Sequence, residues 1–182
     1  MNVHILGMAP DCREDDPPFE VRGWEVWVNA TDVENVFRGH CVFEMHTPDC
    51  WRRFGAPVPV GFEEMLAELD RPLYMHDHYP EFPASIAYPA DEIERMVGVT
   101  LGCTIAYQIG LAIAMRAKHI EISGVRAREE HLYQRANLNH LIGFAKGRGI
   151  KVTDNGGLQE FPLDVSPGGK SAGYNQRYGL AA

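Results

Sequence analysis

The sequence has few basic residues relative to its acidic ones, and its basic residues form no stripe. Its 17 lysines and arginines face 25 aspartates and glutamates, which gives a net charge of −8. Its longer basic spots, such as Arg52-Arg53, are only two or three residues long. Contacts to phosphate dominate nucleic-acid affinity. The composition therefore predicts that the protein has no nucleic-acid partner.

Metal-type cysteine pairs and long apolar runs are also missing. None of the four cysteines stands in a Cys-x-x-Cys pair, a pattern typical of free thiols in a reducing compartment. The longest apolar run, residues 105–117, is interrupted by Gln108 and is too short to span a bilayer. The first residues also lack the pattern of a secretory signal. We therefore expect a soluble cytoplasmic protein with no membrane partner.

Two common catalytic motifs are absent from the sequence. There is no Gly-x-Ser-x-Gly segment and no phosphate-binding loop with its lysine. The sequence therefore argues against a serine hydrolase of the elbow type and against a standard NTPase.

The pattern that is present alternates apolar strands with amphipathic helices, which is typical of a parallel sheet with crossover helices. It predicts an α/β fold, a Rossmann-like three-layer sandwich with a mainly parallel sheet of about five or six strands. We interpret residues 1–160 as one nucleotide-binding domain and 161–182 as an extended arm rich in Gly, Ser and Pro. The segment 76–89 is predicted to be a loop. Strands are predicted at 2–6, 24–29, 41–46, 72–75, 119–123 and 150–153, and helices at 61–69, 91–96, 103–117 and 133–146.

Glycines mark two of the predicted strand ends and one helix start. Gly7 follows the first strand, Gly124 follows the fifth, and Gly102 precedes the long apolar helix. Carboxyl ends of parallel strands share one edge of a sheet, and glycine lets the backbone approach a phosphate with its N–H groups. The sequence thus predicts a ligand cleft. The alternative is that these glycines only form tight turns.

Three histidines after predicted strands, His46, His76 and His78, are candidates for proton transfer because imidazole titrates near neutrality, and His46 or His76 is predicted to be the base. Glu44 lies two residues before His46, so both side chains should point to one face of the strand. The alternative for each histidine is a hydrogen-bonded structural role. His76 and His78 also have metal-ligand spacing, but no third ligand can be assigned, so no metal is predicted.

Two arginines, Arg126 and Arg135, follow the fifth predicted strand and could reach the cleft. A planar guanidinium binds phosphate groups in a bidentate way. Arg126 could equally form an ion pair with Glu129 or Glu130.

Three short motifs carry a resemblance to a known family. The Gly7-Met8-Ala9-Pro10 turn, the strand-end Asn29 and the segment Thr100-Leu101-Gly102 resemble the Gly-x-Gly-Pro turn, the asparagine and the Thr-Ser-Gly segment of the bacterial lipo-oligosaccharide sialyltransferases. The likeness runs from about residue 2 to residue 158. It implies a Rossmann-like fold, a CMP-sugar donor and no required metal or cofactor.

The resemblance also implies which residues bind the nucleotide. These are Gly7, Ala9, Asn29, Thr100, Leu101 and Gly102, to which the rim position adds Met8 as a cleft wall, Pro10 and Gly124. The sequence departs from the family at Gly98, where the family has an arginine, and at Ala9, Leu101 and Arg126. It also lacks the insertion that holds the family's catalytic histidine.

A stronger resemblance is to a group of small proteins of tailed phages and prophages. The shared segments are 43–46, 134–135 and 147–150. The resemblance predicts a phage-type protein of the host cytoplasm that binds a nucleotide or nucleotide-sugar. One form of this hypothesis is that the protein is a small glycosyltransferase. The alternatives are a non-catalytic nucleotide-binding or anti-defence protein and a virion-associated structural protein. In these the C-terminal arm is a candidate contact for a second copy or for a phage or host protein.

Overall fold

The strands of the computed structural model are short, mostly buried, and joined into one sheet. The structure describes residues 1–13, 15–126, 132–155 and 158, and within these ranges the sheet has seven strands, all parallel. The predicted α/β class and parallel sheet are confirmed. The strands are Asn2–Leu6 (β1), Trp24–Asn29 (β2), Cys41–Phe43 (β3), Leu73–Met75 (β4), Ser85–Ala87 (β5), His119–Ser123 (β6) and Lys151–Asp154 (β7).

The order of the strands reverses once across the sheet. It reads β5-β4-β3-β2-β1-β6-β7, so the chain builds outward from β1 to β5 and then crosses to the other side of β1. In open parallel sheets, ligands bind at the carboxyl ends of the strands where the order reverses. In this molecule that point lies between β1 and β6.

Helices cover both faces of the sheet, and each face has its own apolar cluster. Alternate residues of a strand point to opposite faces, so Ile5 enters one cluster and Leu6 the other. The first cluster includes residues of the three helices at 90–97, 104–114 and 132–147, and the second includes residues of the helix at 62–67. The helices are Pro48–Arg52 (α1), Phe62–Ala67 (α2), Ala90–Val97 (α3), Thr104–Ala114 (α4) and Leu132–Gly147 (α5), with a short 3-10 helix at Pro10–Cys12.

The sheet has one strand more than the upper end of the prediction. β5 lies within the segment 76–89 that we predicted to be a loop. It has only three residues, two of them exposed, at the edge of the sheet, so its apolar signal is too short to show in the sequence. The third strand ends at Phe43 rather than His46, which leaves Glu44 and His46 beyond the regular ladder.

Some sequence predictions fall outside the described residues. These are the arm 161–182 and the ion-pair partners Glu129 and Glu130. In the part of the chain that is described, no helix combines the length and apolarity needed to cross a membrane.

Candidate functional site

The glycine turns after β1 and β6 meet at the point where the strand order reverses. A methyl group added at Gly7 would lie 2.2 Å from the carbonyl oxygen of Gly124, and one added at Gly124 would lie 2.4 Å from that of Gly7. Gly124 also has a positive φ of 66°. Both glycines are therefore required by direct contact between two backbones.

The amides of these turns are bonded within the chain. Gly7 donates to the carbonyl of Ser123, Ala9 donates to that of Gly124, and Gly124 donates to that of Cys12, each at 2.8 Å. The expectation that these N–H groups face an open cleft is wrong. Ligand contacts made by Met8, which is 49% exposed, or by Pro10 stay predictions.

The segment Thr100 to Gly102 lies at the same edge of the sheet. Gln108, in the second turn of α4, contacts Asn29 at the carboxyl end of β2, so the first turn of α4 stands beyond that edge. Asn137 of α5 ties the segment down: its Nδ2 donates to the carbonyl of Thr100 at 2.8 Å, and its Oδ1 accepts from Gly102 N–H at 3.3 Å.

Leu101 belongs to the core rather than to an open surface. Its side chain is buried, and its N–H donates to Glu94 Oε1 at 2.8 Å. A leucine in place of the family's serine is thus explained by packing.

A buried amide pair at this edge was missed in the sequence. Gln108 is fully buried, and its Nε2 donates to Asn29 Oδ1 over a long 3.4 Å. Among the described residues, its Oε1 has no hydrogen-bond partner. Leaving a buried carbonyl unsatisfied costs about 1–3 kcal/mol. The sequence did contain a signal for this pair, because Gln108 is a polar residue inside the longest apolar run.

The histidine and carboxylate after β3 form a dyad. His46 Nδ1 lies 2.7 Å from Glu44 Oε1, which also accepts the His46 backbone N–H at 2.9 Å. The Glu44 side chain is 5% exposed and the imidazole 65%. The hydrogen bond from Glu44 raises the pKa of His46 above its ordinary value. Because an ionised carboxylate only accepts, Nδ1 is the donor, and in the neutral imidazole Nε2 is left as the acceptor.

The two histidines after β4 have different surroundings. The exposed His76 has its ring edge-on to Tyr107 of α4, with the centroids 5.8 Å apart. It lines a cavity of about 430 Å³ that extends to Tyr88 and the first turns of α3. His78 Nδ1 lies 2.9 Å from the carbonyl oxygen of Ser85 and 3.0 Å from its hydroxyl. Over the described ranges, no three His, Cys, Asp or Glu side chains are grouped so as to hold a metal ion.

The two predicted phosphate-binding arginines are both engaged. Arg126 Nε lies 3.1 Å from Asp11 Oδ2, so its ion pair is with the turn after β1. Arg135 Nε donates to the carbonyl of Leu158 at 3.3 Å. A further arginine that the sequence did not single out, Arg13, forms an ion pair with the buried Asp32 after β2.

The carboxyl edge of the sheet thus holds an exposed imidazole on a buried carboxylate, a buried amide pair and an open cavity. No family model matches the chain, and no curated protein does. A solved structure of the sialyltransferase CstII from Campylobacter jejuni, in complex with the substrate analogue cytidine-5'-monophosphate, matches with a TM-score of 0.52. The two chains share a fold. The match covers 84% of this chain and 78% of the other at 15% sequence identity, and it shows that this chain is Rossmann-like in fold.

Proposed function

We propose that this protein binds a nucleotide-sugar at the carboxyl edge of its sheet and transfers the sugar to a hydroxyl acceptor, with His46 as the base. The observation that carries the catalytic part is the Glu44–His46 dyad. An imidazole that is 65% exposed and is held through Nδ1 by a buried carboxylate has Nε2 left to accept a proton.

The transfer follows from this orientation. Nε2 of neutral His46 accepts the proton of an acceptor hydroxyl as its oxygen bonds to the anomeric carbon of the donor sugar. The bond from that carbon to the phosphate oxygen breaks, and the nucleoside phosphate leaves with the electron pair. Glu44 stabilises the imidazolium that forms.

The amide pair supports the nucleotide part of the proposal. The 3.4 Å contact between Gln108 and Asn29 is longer than the usual 2.9–3.0 Å, and the Gln108 oxygen has no described partner. Asn29 is only partly buried, so its amide can still hydrogen-bond a ribose hydroxyl or a base amine placed beside it. The likeness in fold to a sialyltransferase that binds a cytidine nucleotide favours a CMP-sugar as the first donor to test.

Replacement of His46 tests the catalytic role. With CMP- and UDP-sugars and a mixture of acceptors, we expect the wild-type protein to release nucleoside phosphate and His46→Asn to lose about 10²–10⁴-fold in rate. Since the pKa of His46 is raised, the wild-type rate should fall as the pH drops through that raised pKa, where the base becomes protonated.

His119→Gln is the matched control, because His119 is the first residue of β6 and so lies at the amino ends of the strands, opposite the proposed site. Its rate should equal that of the wild type. Equal rates for wild type and His46→Asn, or no release from any donor, would contradict the catalytic proposal.

Binding without turnover is a second candidate function. Asp11 already pairs with Arg126, so that guanidinium is not poised for a leaving phosphate. A pure binder would be stabilised by nucleotides through mass action and would yield no product. A thermal shift with CMP, together with no release of nucleoside phosphate from any nucleotide-sugar, would favour this function.

The resemblance to small phage proteins supports a place for the protein in phage-infected cells. Under this part of the proposal the protein acts in the host cytoplasm, with virion association as the alternative. Mass spectrometry of purified virions and of the infected-cell cytoplasm distinguishes the two locations.

A further inference from the structure

The cavity beside His76 lies at the same edge as the dyad, one strand away. In the ladder between β3 and β4, Phe43 pairs with Tyr74, so continuing that register sets Met45, the residue before His46, opposite His76. Adjacent strands are about 4.8 Å apart. The volume of about 430 Å³ is within the range of small-molecule sites, about 300–1,000 Å³.

Charged side chains of both signs line this cavity without neutralising one another. Asp91 and Glu92, in the first turn of α3, and Arg95, one turn later, are exposed. Within the described part of the chain, none of the three forms an ion pair or a side-chain hydrogen bond. Two carboxylates supply acceptors and the guanidinium supplies donors, so the lining can bond groups of either kind.

The other wall of the cavity is aromatic and rigid. Tyr88 is 5% exposed, and its hydroxyl donates to the Tyr107 carbonyl at 2.8 Å, which fixes the ring. The Tyr107 ring stands edge-on to Tyr88, with centroids 4.9 Å apart, and edge-on to His76. The ring that this wall exposes to the cavity is that of His76, and a held ring beside a few polar groups is a usual form of small-molecule site.

These features select a ligand class. A charged ligand would be attracted by one sign of these side chains and repelled by the other, so its charge would add little to its binding. A neutral ring with several hydroxyls can donate to the carboxylates, accept from the guanidinium, and pack its C–H face on the His76 ring. We propose that this cavity binds a pyranose sugar, which, resting on the proposed function, is the acceptor of the transfer.

The test measures sugar binding without any donor, so it does not depend on turnover. Saturation-transfer NMR is recorded on the full chain with methyl β-glycosides of galactose, glucose and N-acetylglucosamine. We expect transfer to at least one glycoside, and at least a tenfold weaker affinity in Asp91→Asn and in Arg95→Gln. Both positions are exposed, so neither change should impair folding, which a thermal melt checks.

The matched controls are Glu64→Gln in the first turn of α2 and Arg22→Gln before β2, both exposed and away from the cavity. They should bind like the wild type. Absence of transfer to every glycoside, or affinities unchanged in Asp91→Asn and Arg95→Gln, would overturn the proposal. Release of nucleoside phosphate together with absent sugar binding would refute this site alone and leave the proposed function standing.

Discussion

Two histidines show how neighbouring groups give the same side chain opposite properties. His46 is exposed beside Glu44, whose hydrogen bond raises its pKa. His4 is fully buried in β1, and burial lowers its pKa, with Glu121 opposing and His119 adding to that shift. His4 Nε2 also lies 2.8 Å from the Ser123 hydroxyl. His46 is therefore suited to exchange protons with a ligand, whereas His4 is suited to stay neutral in the core.

The lowered pKa of His4 predicts acid sensitivity. Because the unfolded state binds the proton more readily, stability is full above the unfolded pKa of 6.5 and is lost as the pH falls toward the folded value. We expect the urea midpoint of the wild type to fall between about pH 7.5 and about pH 5.5.

His4→Gln keeps a polar group near Ser123 and removes the titration. Its urea midpoint should therefore fall less over the same pH interval. An equal fall in both proteins would show that His4 does not cause the acid sensitivity.

At the residue scale, the sequence reveals a group when local spacing fixes its geometry. Glu44 and His46 are two residues apart, and their side chains are in contact although both lie beyond the end of β3. The Asn29–Gln108 pair joins residues 79 positions apart, so only the folded chain shows it. The glycines were recognised as special, and the structure gives each a reason that the sequence does not show, the close approach of the other's backbone.

At the scale of elements, the contact between the turns after β1 and β6 joins the two halves of the sheet. We expect Gly7→Ala to destabilise the protein by about 1–3 kcal/mol, because its methyl group would overlap the Gly124 backbone, which cannot rotate away. Urea denaturation measures this change, and we expect a lower midpoint with the same m-value as the wild type.

Gly143→Ala is the control for that change. Gly143 lies in α5, and nothing is within 4 Å of an added methyl group. This variant should be more stable by up to about 1 kcal/mol, because alanine is the better helix former. A Gly7→Ala protein as stable as the wild type would contradict the backbone-contact account.

Another element explains a departure from the sialyltransferase pattern. Gly98 ends α3 with a positive φ of 77°, and its N–H donates to the Glu94 carbonyl at 2.8 Å. An arginine in that left-handed conformation would be strained. The helix end therefore favours glycine where the family places a charged residue.

At the scale of the whole molecule, the alternation of strands and helices was enough to predict the fold class. The bounds of β1, β2 and β6 agree with the sequence prediction because each strand has buried apolar residues and is followed or ended by a polar residue or glycine. The edge strand β5 and the position of the open cavity depend on packing between distant segments, which leaves no local pattern.

The central claim is that the carboxyl edge of the sheet is the nucleotide site. The most direct measurement is a titration of the ¹⁵N-labelled protein with CMP, followed by amide chemical shifts. The account predicts shifts concentrated at Asn29, Gln108 and His46, with Lys118 and His119 at the opposite edge unchanged. Shifts centred on that opposite edge, or none at saturating CMP, would contradict it.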